Sequence, residues 1–108
     1  MLRGYAVSTG STPKLTQTLQ GTSTAGWGGA EPIVSSNGNK TGTGVVWVIR
    51  RGSTLQLEAY DAEHLGAPIY AASAGSWPNG NPFLSPLEAN GRVYVPSTGK
   101  VMVFGLTP

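Results

Sequence analysis

An all-β, antiparallel chain is what these 108 residues predict, and three observations carry that prediction. Turn formers are frequent (16 Gly and 8 Pro) while charged residues make up only 11%, a balance suited to short strands joined by tight turns. The apolar residues fall in short Val-rich or alternating runs, and no stripe of 3.6-residue period persists for three turns, so no helix is expected. One segment also occurs almost twice. Glu31-Pro32-Ile33-Val34-Ser35-Ser36-Asn37-Gly38, Val45-Val46-Trp47-Val48-Ile49 and Leu57-Glu58-Ala59-Tyr60 are echoed by Ser85-Pro86-Leu87-Glu88-Ala89-Asn90-Gly91, Arg92-Val93-Tyr94-Val95 and Val101-Met102-Val103-Phe104. A partial third copy opens the chain, where Leu2-Arg3-Gly4-Tyr5 mirrors Leu57-Glu58-Ala59-Tyr60. Repeats of this size signal units that bury their faces against one another.

In order, Leu2 to Val7 reads as a strand, followed by a Gly- and Pro-punctuated turn. Leu15 to Gln20 is a second strand, and residues 21–29 form a loop around Trp27. Pro32 to Ser36 is a strand ending at Asn37-Gly38, and the polar stretch to Gly44 is a long hairpin loop. Val45 to Arg50 follows, its unbroken apolar run indicating cover on both faces. In Leu55 to Tyr60, apolar Leu55, Leu57 and Ala59 alternate with Gln56, Glu58 and Tyr60, the period of a half-covered strand. Ile69 to Ala72 is a short outer strand, and a loop carrying Trp77-Pro78-Asn79-Gly80 follows. Phe83 to Glu88 is a strand closed by Asn90-Gly91, a strong hairpin signal. Arg92 to Val95, expected to be buried on both sides, and Lys100 to Phe104 complete the second copy. The order is two strands, then four, then three. The core is expected to hold Val46, Val48, Leu57, Ala59, Val93 and Val95.

Four short strands with turns make one blade of a β-propeller. Pro86-Leu87-Glu88-Ala89-Asn90-Gly91-Arg92-Val93-Tyr94-Val95, then Gly99 to Phe104, resembles the repeat of pyrroloquinoline-quinone-type (PQQ-like) β-propellers. Leu57 to Ala62 resembles that family's third strand and exit turn, with Tyr70 where a Trp is usual. The resemblance implies a partial propeller of about two to two and a half antiparallel four-stranded blades. They form a single domain over residues 1–108: a partial blade over 1–20, a full blade over 30–72 and a partial blade over 83–106. Quinoprotein dehydrogenases of this kind bind PQQ and calcium through residues spread over many blades, and nothing in this sequence identifies those residues. The chain alone is therefore expected to be noncatalytic and without a cofactor. The alternative is a fragment of a PQQ-dependent quinoprotein dehydrogenase whose catalytic residues lie outside it.

Net charge is +2 and only Arg50-Arg51 places two basic residues side by side, too little for a nucleic-acid surface. No run approaches the roughly 18 apolar residues of a membrane helix, and no signal peptide is read at the start. Cys is absent, which excludes disulfides and thiol chemistry. The low charge and the Ser, Thr, Asn and Gly content lean toward an extracytoplasmic site, periplasmic or secreted. Asn39-Lys40-Thr41 is an N-glycosylation sequon, relevant in a secreted eukaryotic protein.

The one acid–His cluster is Asp61, Glu63 and His64. Alternate positions in a short turn seldom converge on one metal ion, so an Asx turn at Asp61 is the expectation. His64 is the sole histidine and no Gly-x-Ser-x-Gly elbow occurs, which argues against a hydrolase. Trp27 and Trp77, with Asn79, sit in loops that precede each copy's first strand. Loop aromatics stack on sugars or fill a partner's pocket, or else plug the gap between blades. Arg50 and Arg51 are candidate anion contacts. The functional expectation is a structural or binding module for a carbohydrate or protein ligand. A partial ring leaves blade faces wet, so a homo-oligomer, or other propeller chains supplying the missing blades, is expected in place of a stable free monomer.

Overall fold

The structure, a computed structural model, describes residues 1–26, 28–78 and 83–105. Nine strands appear in the order β1 (Arg3–Ser8), β2 (Lys14–Gln20), β3 (Ile33–Ser35), β4 (Val45–Arg51), β5 (Leu55–Asp61), β6 (Tyr70–Ser73), β7 (Leu87–Ala89), β8 (Arg92–Ser97) and β9 (Lys100–Gly105). Within each sheet, consecutive strands pair antiparallel. They make a two-stranded, a four-stranded and a three-stranded sheet, the grouping that the repeats predict. No helix occurs among the described residues, and none is long and apolar enough to cross a membrane.

The three sheets stack face to face, because each strand alternates its side chains between two neighbours. On β4 and β5, Ile49, Leu55 and Leu57 point toward the third sheet and meet Val93 and Val95, with Ala74 and Leu84 from the connecting segment. Trp47, Trp77, Met102 and Phe104 pack around them. From the opposite face, Val46, Val48 and Tyr60 meet Leu2 and Leu19 of the first sheet's end of the chain, along with Leu65 from the β5–β6 turn. Ile49, Leu55, Leu57 and Val95 are fully buried, each stabilising the stack by about 1.5–3 kcal/mol. All six residues expected in the core are buried.

Backbone hydrogen bonds latch the segments between sheets. The Arg51 N–H donates to Ala25 O (3.2 Å), Leu55 N–H to Gly75 O (2.8 Å) and Thr98 N–H to Ser76 O (2.8 Å). The β7–β8 turn has φ +52° at Asn90 and +70° at Gly91, the left-handed pair that an Asn-Gly hairpin supplies at low steric cost.

Three expectations need correction. The strand expected over Phe83 to Glu88 is only Leu87–Ala89; residues 83–86 run as a connection, with Leu84 and Pro86 buried, and Pro86 has no N–H to give a ladder. The strand from Leu55 is not half covered: Glu58 and Tyr60 are also buried, because their polar atoms bond one another under the first sheet. Conversely, β8 is buried on one side only, since Tyr94 lies on the third sheet's outer face and is only partly covered.

Candidate functional site

Between the second and third sheets, side chains pack into a core at one end and leave a cleft at the other. At the filled end Ile49, Leu55 and Leu57 meet Val95 and Leu84. At the open end the residue row Trp47–Ala59–Tyr70 crosses β4, β5 and β6, and the row Glu88–Val93–Phe104 crosses β7, β8 and β9. Ala59 and Val93 are too small to fill the space between the flanking aromatic rings. A cleft of about 430 Å³ results, within the range of small-molecule sites.

Trp47, Tyr70 and Phe104 furnish its aromatic walls, and Val45 and Ile69 extend them. The Trp47 indole N–H donates to Ser35 Oγ on the neighbouring strand (2.8 Å), which fixes the ring plane. Glu88 is the one charged residue among the described residues of the lining. It is exposed and makes no ion pair among the described residues. The arrangement offers apolar faces and a single carboxylate. Its polar groups among the described residues are the Ser35 hydroxyl, which accepts from Trp47, the Tyr70 phenol and the Glu88 carboxylate.

Those residues singled out in the sequence that the structure describes lie elsewhere. Trp77 is half-buried in the core between the second and third sheets, and its enclosed indole N–H finds no hydrogen-bond partner among the described residues. Trp27 and Asn79 lie outside the described residues. Arg50 is engaged: its Nε–H donates to Glu58 Oε1 (2.6 Å), its Nη2 bonds Gln56, and Tyr60 donates its hydroxyl to Glu58 Oε2 (2.6 Å). Burial, and then the bond to Glu58, push the Tyr60 phenol above the usual tyrosine range. Arg51 ties both connecting segments together, its backbone reaching Ala25 O and its guanidinium Pro78 O (3.4 Å). Asn39 is exposed in the loop of residues 36–44.

Asp61 forms the Asx turn: Oδ1 accepts from Glu63 N–H (2.8 Å), and Oδ2 lies 2.9 Å from His64 Nδ1. The hydrogen bond to His64 is the main cause that lowers Asp61, and the same bond raises His64. Glu63 Oε1 accepts from Gly42 N–H (2.9 Å), pinning the long loop to this turn. Among the described residues no three His, Cys, Asp or Glu side chains converge as a metal would require.

The cleft was not among the sequence candidates. Its residues come from seven strands, with Ile69 and Gly91 from the adjoining connections, and become neighbours only through register and stacking. A small Ala59 opposite Trp47 is a signal visible only once the two strands are aligned. Comparison of the chain with protein-family models, with curated proteins and with solved structures finds no match.

Proposed function

We propose that the chain is a noncatalytic structural and binding module built from PQQ-like propeller blades, and that its ligand seats in the cleft between the second and third sheets. The observation that carries this reading is the cleft itself: three aromatic side chains around two small ones, one of them locked by Ser35, with one carboxylate at hand. Such walls favour a flat apolar group, and Glu88 favours one bearing an ammonium or another strong donor. A sugar is a poorer fit, because Ser35 and Glu88 would leave most of its hydroxyls without partners. Support for the blade reading comes from three antiparallel meanders stacked face to face in the order that the repeats predict.

The test is a titration with phenethylammonium, read from the Trp47 indole N–H resonance. Saturable shifts are expected, weakened roughly two- to thirtyfold by Tyr70→Ala, since an exposed cation–π contact is worth roughly 0.5–1 kcal/mol and a desolvated one about 2, and roughly two- to fivefold by Glu88→Gln, which removes an exposed ion pair. A resonance unmoved at millimolar probe, or an affinity indifferent to both substitutions, would overturn the assignment.

A further inference from the structure

We propose that copies of this chain associate head to tail, the outer face of the third sheet of one copy covering the outer face of the first sheet of the next. The inference rests on the stacked-blade part of the reading above and not on the cleft. It begins from register. The row Ile33–Trp47–Ala59 crosses the second sheet on the face that grips the third. The row Leu87–Tyr94–Val103 crosses the third sheet at the corresponding places, on its outer face. One step along, Ile49–Leu57 corresponds to Pro96–Val101. Over three strands the third sheet thus repeats the face with which the second sheet holds its neighbour; Tyr70 and Ala72 of β6 have no counterpart among its described strands. The cover differs: Leu57 and Ala59 are 0% and 1% exposed, whereas Val101 and Val103 are 61% and 53% exposed.

Within the chain, a face of this kind is covered by the opposite face of another sheet. That opposite face carries Val46 and Tyr60 on the second sheet and Val93 and Phe104 on the third. The first sheet has one too. Leu2 and Leu19 point to the second sheet, so Tyr5 and Val7, alternating with Gly4 and Ala6, point away. Leu15 and Gln17 pair with Val7 and Tyr5 and share that outer face, because the register shift beside Gly4 turns this half of β2 over relative to Leu19. Tyr5, which occupies the repeat position of Tyr60, is exposed, as are Val7 and Leu15. The chain therefore carries, uncovered at opposite ends of the stack, a third-sheet face like that of the second sheet and a two-stranded first-sheet face with Tyr5 at the place of Tyr60.

The exposed area matches that view. The accessible surface is 7042 Å², where a compact chain of this mass would show roughly 5,700 Å². The excess of roughly 1,300 Å² is about what one interface of standard size removes. The radius of gyration, 15.0 Å, likewise exceeds the roughly 13 Å of a compact chain. Two different patches in contact make a heterologous joint, which closes into a ring or extends as a filament.

Sedimentation velocity over 1–200 µM tests the joint, together with Val103→Glu on one face and Tyr5→Glu on the other. The wild type should sediment as a multimer. Each variant should stop at the monomer, weakened roughly a hundredfold by a carboxylate buried without a partner. Mixing is decisive: Val103→Glu retains a good first-sheet face and Tyr5→Glu a good third-sheet face, so the mixture should form a one-to-one heterodimer. Should either variant lose its fold alone, mixing should restore its circular dichroism. A wild-type monomer at 200 µM, or a mixture that neither pairs nor regains structure, would refute the proposal. Those same results would leave ligand binding in the cleft intact, whereas a failed phenethylammonium titration leaves the joint intact.

Discussion

Replacing Glu58 by Ala should destabilise the fold by about 2–4 kcal/mol. The carboxylate is 4% exposed and lies on β5 against the first sheet, where the corresponding residue of the third sheet is Met102. Two losses combine. The buried Tyr60 hydroxyl gives up a charged acceptor at 2.6 Å, worth about 1–3 kcal/mol. Arg50 gives up its ion pair, but with its side chain 36% exposed it rehydrates, so that part is held to about 1 kcal/mol. At 4–8 °C per kcal/mol for a domain near this size, Tm should fall by roughly 8–32 °C in calorimetry. Glu58→Gln keeps an acceptor for Tyr60 and should cost about half as much. A Glu58→Ala and Tyr60→Phe cycle should show coupling of about 1 kcal/mol. The phenol adds a pH signature. The Tyr60 pKa is raised above its ordinary 10.0, so its stabilisation is whole below pH 10. As the pH climbs, the unfolded chain ionises first, and the contribution is lost through the folded pKa. Tyr60→Phe should flatten that alkaline limb. A Glu58→Ala protein melting within about 3 °C of wild type would show that the network contributes little.

Three further outcomes are expected. Leu57→Ala, at a fully buried position between the second and third sheets, should cost about 2–5 kcal/mol in urea unfolding. Gly75→Ala should cost about 1–3 kcal/mol, because φ there is +88° and a Cβ would collide with Ser97 Oγ, which accepts from Ser76 N–H at 3.1 Å; Ser97→Gly in the same protein should recover part of the loss. His64 should titrate above 6.5 by NMR and return toward it in Asp61→Asn, and the pair's support should be confined to a window: lost as pH rises through the His64 pKa, and lost again as it falls below 3.8 through that of Asp61.

The strand grouping was legible because it depends on local signals. Asn90-Gly91 supplies the φ values of a tight hairpin, and the alternation of Leu55, Leu57 and Ala59 marks one face whatever lies across from it. Burial of the other face was not legible. Gln56 and Glu58 look like solvent residues by type, and only their bonds to Arg50 and Tyr60, made across β4 and β5, allow Glu58 to go under the first sheet. The cleft was missed for a related reason. Trp47 reads as a filler of the space between sheets, and so it would be if its cross-strand neighbour were larger than Ala59.

A repeat in sequence therefore specifies the kind of face a sheet has, and not whether that face is covered. Trp47 and Tyr94 occupy the same place in successive sheets, as do Ala59 and Val103. One pair borders a cleft because another sheet lies over it; the other pair meets solvent. Val34 shows the same principle within one sheet. It pairs with Val46 on the side facing the first sheet, yet it is exposed while Val46 is buried. The first sheet has only two strands, and its Leu2 and Leu19 reach Val46, Val48 and Tyr60 but leave Val34 uncovered. Apolar residues at Val34, Leu87, Val101 and Val103 are what stacking positions require, and a purely solvent-facing sheet would be expected to place polar residues there. The composition of these uncovered faces is thus better explained by further sheets lying against them than by permanent exposure.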